Sequence, residues 1–259
     1  RQMCIRDRFL MSDSDELQYL SGFQAVTEAL KHRRRPLFRV YISRQKGVHD
    51  LVRLAELAGV PVVPADAEKM GRLTGTAKHQ GVVLECGALP FYTLDDLLAL
   101  DPPGGKDLLV FLSGVEDPRN LGAVARCCSF LGARALLVQE KGAAPFSPAA
   151  SRASAGAIES LPVGIFRSTP DACAKVSRAG YLVAGLEKGG KPLSAWIPGA
   201  GKIALVLGSE DRGLSIRVQK GCDVVLTIEG EGPTGSLNLS VAAGIAIHHV
   251  MNRMKKEEG

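Results

Sequence analysis

Leu108-Leu-Val-Phe-Leu-Ser-Gly-Val-Glu-Asp-Pro-Arg-Asn-Leu-Gly-Ala-Val-Ala-Arg126 is the stretch that decides the fold. Its first five residues are apolar without alternation, the pattern of a strand buried on both faces. Asp117 before Pro118 then marks a helix start: a carboxylate accepts orphan amides, and the missing proline N–H is no loss at the first helical position. Leu121, Val124, Ala125, Cys128 and Leu131 recur at helical spacing and define the buried stripe of that helix. Strand, loop and helix in succession are the unit of a parallel α/β sheet.

The same unit recurs through Ala135-Leu-Leu-Val138, Tyr181-Leu-Val-Ala184, Ile203-Ala-Leu-Val-Leu207 and Val224-Val-Leu-Thr-Ile228, with a final helix over Val241 to Met254. The expected fold class is therefore α/β, a parallel sheet covered on both faces, with ligands beyond the carboxyl ends of its strands. Upstream, residues 17–86 hold a smaller α/β unit. Its helices are predicted at Phe23 to Leu30, Val48 to Ala58 and Asp66 to Leu73. Its strands are predicted at Phe38 to Ser43, Val60 to Val63 and Gly81 to Cys86. Residues 87–106, with Pro90 and Asp101-Pro-Pro-Gly-Gly-Lys106, read as a linker carrying one short helix.

A chain of 259 residues with 46% hydrophobic residues and a net charge of +5 has ample material for a core, which excludes bulk disorder. Its apolar runs fall short of the ~20 residues a membrane-spanning helix needs. The six cysteines show no Cys-x-x-Cys spacing, which fits a reducing cytoplasm, and adjacent Cys127 and Cys128 read as small hydrophobes on a helix. Residues 1–16 lack the pattern of a signal peptide. They read as an extraneous or disordered leader, with Met11 as the expected natural start.

Three segments behind strand ends hold the polar residues. In the first, Asn120 lies in the opening turn of the helix, where backbone amides attract anions. Arg126 stands about 140° from Leu121, off the buried stripe, which suits a phosphate or carboxylate partner. A surface arginine and a turn asparagine are the plainer readings of those positions. The second is Leu207-Gly-Ser-Glu-Asp-Arg-Gly-Leu214, where Gly208 and Gly213 permit close approach and Glu210 and Asp211 place carboxylates at a strand end. An ordinary acidic loop is the alternative. The third, Ile228 to Ser240, crowds Ser236, Asn238 and Ser240 at a helix start that one of them would cap.

Other features carry less. Gly185-Leu-Glu-Lys-Gly-Gly-Lys191 has phosphate-loop spacing, but Pro192 replaces the magnesium-binding hydroxyl, and it is rejected. His248 and His249 point about 100° apart on one helix, a poor metal pair. No nicotinamide fingerprint or hydrolase elbow is present. Arg33, Arg34 and Arg35, in Lys31-His-Arg-Arg-Arg35, are candidate RNA phosphate contacts, with a solvated helix end as the alternative.

Taken in order, Asn120-Leu-Gly-Ala-Val-Ala-Arg126, Gly208-Ser-Glu-Asp-Arg-Gly-Leu214 and Ser236-Leu-Asn-Leu-Ser-Val-Ala-Ala-Gly244 resemble the three motifs of the SpoU-TrmH (SPOUT) family of RNA ribose 2'-O-methyltransferases. Gly22 to Leu30 and His79-Gln-Gly81 extend the likeness toward the branch that modifies a 23S ribosomal RNA guanosine. Asp211 departs from the glycine of many relatives, and the turn is expected to tolerate it.

The resemblance implies an L30e-like RNA-binding domain over 17–86 and a linker over 87–106. It further implies a catalytic domain over 107–256 whose C-terminal segment forms a trefoil knot. Threaded connections are almost absent from proteins, so strand order alone would have discarded this topology. It implies S-adenosylmethionine as cofactor, held largely by backbone at Gly208, Ile228 and Leu237, no metal, and a homodimer whose partner completes each site. Arg126 would act on the 2'-hydroxyl, Asn120 and Glu210 would position the reacting groups, and Ser236 and Asn238 would line the site. Arginine, with a pKa above 12, is a poor base unless an RNA phosphate relays the proton, so orienting and electrostatically activating the hydroxyl is its expected role. Transfer RNA is the alternative substrate, and a non-catalytic RNA-binding module is the alternative class.

Overall fold

The structure, a computed structural model, describes residues 17–43, 48–100, 107–140, 146–199 and 201–256. Residues 1–16 and 101–106, and with them the leader and the end of the expected linker, lie outside the described residues.

The smaller sheet is built from β1 (Gln18–Ser21), α1 (Phe23–His32), β2 (Leu37–Ile42), α2 (His49–Leu57), β3 (Val62–Pro64), α3 (Ala67–Thr74) and β4 (Val82–Cys86), with strand order β1-β4-β2-β3. Leu20, Val26, Leu30, Leu51, Val82 and Leu84 form its core under α1 and α2. Asp66 accepts the Lys69 N–H at 2.7 Å and caps α3, as its position before the apolar pattern implies. β1 is not foreseen in the sequence, because Gln18-Tyr-Leu-Ser21 is too short to show a period.

The larger sheet follows: β5 (Tyr92–Thr93), α4 (Leu94–Leu98), β6 (Asp107–Leu112), α5 (Pro118–Leu131), β7 (Ala135–Gln139), α6 (Pro148–Ala153), α7 (Ala157–Ser160), β8 (Val163–Phe166), α8 (Thr169–Arg178), β9 (Leu182–Pro192), β10 (Lys202–Leu207), α9 (Ile216–Lys220), β11 (Val224–Thr227) and α10 (Leu239–Lys256). Its order is β11-β9-β10-β6-β7-β8-β5, and its neighbouring strands pair in parallel. All six residues of β6 are buried, the double-sided cover that its unbroken apolar run requires.

One expectation changes here, and β9 runs on beyond its apolar stretch. Tyr92–Thr93 pair with β8, so this part of the expected linker belongs to the larger sheet, and the short helix foreseen there is α4. The phosphate-loop spacing at 185–191 lies within β9, which runs on through Gly189 and Gly190 to pair with β11 across a bulge. Among the described residues, no helix is long and apolar enough to cross a membrane.

Chain order leaves β6 toward β7 and β8 on one side and returns to β10 and β9 on the other. The ends of β6 and β10 are thus the switch point where an open α/β sheet forms its crevice.

Candidate functional site

The loop after β6 enters α5 through Asp117, which accepts the Arg119 N–H at 2.8 Å. The Arg119 side chain bonded to it holds the Asp117 carboxyl below the usual carboxylate range. Gly122 has a packing reason. A Cβ there would lie 2.6 Å from the Ala150 carbonyl oxygen and 2.8 Å from the Ser154 nitrogen, so only glycine lets α5 meet α6. Asn120 is thereby set in the first turn of α5, within reach of Glu210 beyond the end of β10.

After β10, the chain folds back on itself. A Cβ on Gly208 would fall 2.2 Å from the carbonyl of Gly213, whose N–H bonds Ser209 O at 2.9 Å. Gly213 sits at φ +60°, and a Cβ there would be 2.1 Å from Glu187 Oε2. That carboxylate, at the end of the apolar part of β9, accepts the Leu214 N–H at 2.5 Å and fixes the turn. Asp211 keeps φ outside the left-handed region, since the non-glycine residues there are Arg33, Gln80 and Ala155 among those described. The turn therefore accommodates its side chain without backbone strain.

The three segments converge on one carboxylate. Glu210 Oε2 accepts from Asn120 Nδ2 at 3.0 Å, and Oε1 accepts from Asn238 Nδ2 at 2.5 Å and from the Leu239 N–H at 3.2 Å. Asn238 Nδ2 also donates to Asn120 Oδ1 at 3.2 Å, closing a triangle. Asn238 Oδ1 takes the Ser240 N–H at 2.9 Å, so this residue caps α10 while facing Glu210. A carboxylate at the N-terminus of α10 also complements the helix dipole.

Beside the triangle lies a cavity of about 510 Å³ whose lining includes Gly208, Ile228, Leu237, Ser236 and Glu187. A second groove, about 490 Å³, is lined by Ser113, Asn120, Glu210 and Asp211. Glu210, Gly213 and Leu239 border both, so the triangle stands on the wall between them. Arg126 stands apart. It is exposed on α5 and makes no hydrogen bond or ion pair among the described residues. Ser236 borders the first cavity outside the triangle. The neighbouring thiols are inert in character: Cys128 is fully buried, and burial pushes both it and Cys127 up.

The basic cluster is reassigned. Arg35 is buried, its guanidinium held in a two-point pair with Glu159 at 2.8 and 3.0 Å, with Gln18 Oε1 at 3.2 Å and Gly87 O at 3.3 Å. Arg34 donates to Leu161 O at 2.5 Å and lies 5.8 Å from the centre of the Tyr92 ring. Both join the two sheets rather than reaching RNA, because a carboxylate and a carbonyl of the larger sheet's layer claim them. Arg33 is exposed, and its guanidinium is tied to Leu57 O at 2.9 Å.

Two residues escaped the sequence reading. Gln80, at φ 53°, accepts the Phe23 N–H at 3.0 Å and supplies the cap that Gly22 cannot give α1. A glutamine between His79 and Gly81 gives no such signal. Glu187 was readable in outline, as the first polar side chain where the apolar run of β9 ends.

The comparisons with known proteins cover both sheets. Residues 107–248 match the SpoU rRNA methylase family, and residues 19–92 match the RNA 2'-O ribose methyltransferase substrate-binding family. The chain belongs to the SpoU rRNA methylase family. It is 32% identical over 238 residues to a 23S rRNA (guanosine-2'-O-)-methyltransferase RlmB of Ralstonia nicotianae, covering 90% of this chain and 95% of that one. The RlmB of Nitrosomonas europaea is 29% identical, over 93% of this chain and 94% of its own. The SpoU methyltransferase AviRb of Streptomyces viridochromogenes, solved with the cofactor AdoMet, shares the fold at a TM-score of 0.74 and 21% identity, over 94% of this chain and 92% of its own.

Proposed function

We propose that this chain is an S-adenosylmethionine-dependent methyltransferase that modifies the 2'-hydroxyl of a ribose in 23S ribosomal RNA, at a guanosine. The Asn120–Glu210–Asn238 triangle carries this reading, since it joins all three motifs on the wall between the cavity and the groove. Gly208 fits a backbone-held cofactor: it is buried, and any side chain there would collapse the turn that walls the cavity. Gly208, Ile228 and Leu237 would hold S-adenosylmethionine there. Bound, it supplies an electrophilic methyl group on a sulfonium.

The chain's own residues then have separable tasks. With three N–H donors on its carboxylate, Glu210 is an organiser of Asn120 and Asn238 rather than a proton acceptor. Asn120 presents an oriented amide to a ribose in the groove, Asn238 steadies it together with Glu210, and Ser236 lines the cofactor side. Positioning of this kind supplies much of the rate of a displacement. Arg126 orients the 2'-hydroxyl and favours its ionisation by charge, with an RNA phosphate to take up the proton.

Residues 17–86 serve as the L30e-like substrate-binding domain and residues 107–256, with Tyr92–Thr93 added to their sheet, as the knotted catalytic domain. The chain works as a cytoplasmic homodimer. Phe130 is 87% exposed, Val241 49% and Ile245 41%. They stand on α5 and α10, the helices that carry Arg126 and the Asn238 cap, so a partner covering them completes the site. Incubation with labelled S-adenosylmethionine and separated 23S, 16S and transfer RNA tests the reading. Label in 23S RNA supports it, label in transfer RNA moves the substrate, and no label despite cofactor binding overturns the enzymatic assignment.

A further inference from the structure

A cavity of about 810 Å³ forms a cleft between the two sheets. Tyr19 of β1 and Phe91 line it, as do Gln139 at the carboxyl end of β7 and Ala149 and Arg152 of α6. It adjoins the candidate site. Ser113 Oγ, at the end of β6, donates to Gln139 Oε1 at 3.3 Å, and Ser113 lines the groove that holds Asn120 and Glu210. Cofactor cavity, groove and cleft therefore follow one another along the carboxyl edge of the sheet.

The cleft is preformed. The Arg35–Glu159 pair, with side chains 0% and 1% exposed, and the Arg152 bond to Ser21 Oγ at 2.9 Å fasten the sheets on either side of it. Its chemistry is mixed in a specific way. Phe91 offers a ring, itself backed by Phe146 at 6.5 Å between centroids, and Tyr19 offers a second. Gln139 is held by Ser113, by the Thr169 hydroxyl at 3.4 Å and by Arg167 O at 3.4 Å, so its amide is fixed at the cleft floor. Arg152 is exposed and adds a cation. Rings for stacking, an amide for a base edge and a guanidinium for phosphate are what unpaired RNA bases require of a protein.

We propose that this cleft receives the base of an unpaired nucleotide adjacent to the methylated one. The target ribose lies in the groove and its neighbour reaches past Ser113 and Gln139 into the cleft. This inference rests on the RNA methyltransferase reading above and adds to it where the substrate strand runs. It also supplies an RNA contact in place of the half-buried Arg34 and the buried Arg35.

Ala149→Trp fills the cleft from the start of α6, and Gln139→Ala removes the fixed amide with little effect on packing. Each is assayed for affinity toward a 23S RNA fragment and, separately, toward S-adenosylmethionine by calorimetry. One stacked base is worth a roughly tenfold to hundredfold change in affinity. The filled variant should lose RNA affinity by that factor and Gln139→Ala by less, with cofactor affinity unchanged in both. Photo-crosslinking of the fragment carrying 4-thiouridine should label peptides containing Tyr19 or Phe91. Unchanged RNA affinity in both variants, or crosslinks confined to other peptides, overturns the inference. A wild-type chain that neither binds nor methylates the fragment overturns instead the reading on which it rests.

Discussion

Replacing Glu210 with glutamine changes one atom and disrupts the arrangement that joins the three motifs. The glutamine oxygen can replace Oε1, keeping Asn238 Nδ2 and the Leu239 N–H, but its amino group then faces Asn120 Nδ2, formerly 3.0 Å from an acceptor. Asn120 cannot rotate to offer its oxygen without losing the bond it accepts from Asn238 at 3.2 Å. One charge-assisted hydrogen bond, worth about 1.5–3 kcal/mol, is lost and a donor pair takes its place. Taking the total in the transition state as about 3 kcal/mol, kcat should fall about a hundredfold at roughly 1.4 kcal/mol per decade. Stability should barely change. Glu210 and Asn238 are exposed and Asn120 is half-buried, so water can serve the freed donors, and a cost of about 1 kcal/mol lowers Tm by only about 2–4 °C in a chain of this size. Methyl transfer to 23S RNA, cofactor affinity by calorimetry and Tm by scanning calorimetry separate these effects. Turnover within threefold of wild type, or a fall in Tm beyond about 10 °C, would refute the role assigned to the triangle.

Other substitutions test the supporting structure. Arg35→Ala strands the buried Glu159 carboxylate and should cost about 3–5 kcal/mol in urea denaturation, part of it recovered by adding Glu159→Gln; a loss below about 1 kcal/mol would contradict the docking role. Gly122→Ala, which stabilises an ordinary helix interior by about 1 kcal/mol, should here destabilise by about 1–3 kcal/mol because its Cβ meets Ala150 O. A stabilised variant would show that α5 and α6 are less closely packed. Gly213→Ala should weaken S-adenosylmethionine binding measurably, and Glu187→Ala added to it should restore part of the affinity by vacating the space the new methyl needs. Arg126→Ala should abolish most turnover while leaving cofactor affinity intact, and near-normal turnover would remove Arg126 from the chemistry.

Much of the larger sheet was legible because strands buried on both faces announce themselves. The runs at 108–112, 203–207 and 224–228 are strands β6, β10 and β11 to within a residue or so. β9 was only half visible, since Lys188 to Pro192 joins the sheet through backbone pairing with β11 and carries no apolar pattern. β5, two residues long, was hidden for the same reason. Strand ends and helix starts placed Asn120, Glu210 and Asn238 near the crevice, but their mutual bonds depend on how three loops fold over one edge. The arginine run misled most clearly: nothing near Arg35 in sequence reveals that Glu159, on α7 and far along the chain, would pair with it.

The central claim is ribose methylation of 23S RNA by this chain. The most direct measurement is nucleoside mass spectrometry of 23S RNA from cells with and without its gene. One 2'-O-methylguanosine should disappear on deletion, return with the wild-type gene and fail to return with Glu210→Gln. An unchanged complement of ribose methylation, or loss of a base methyl group instead, would contradict it.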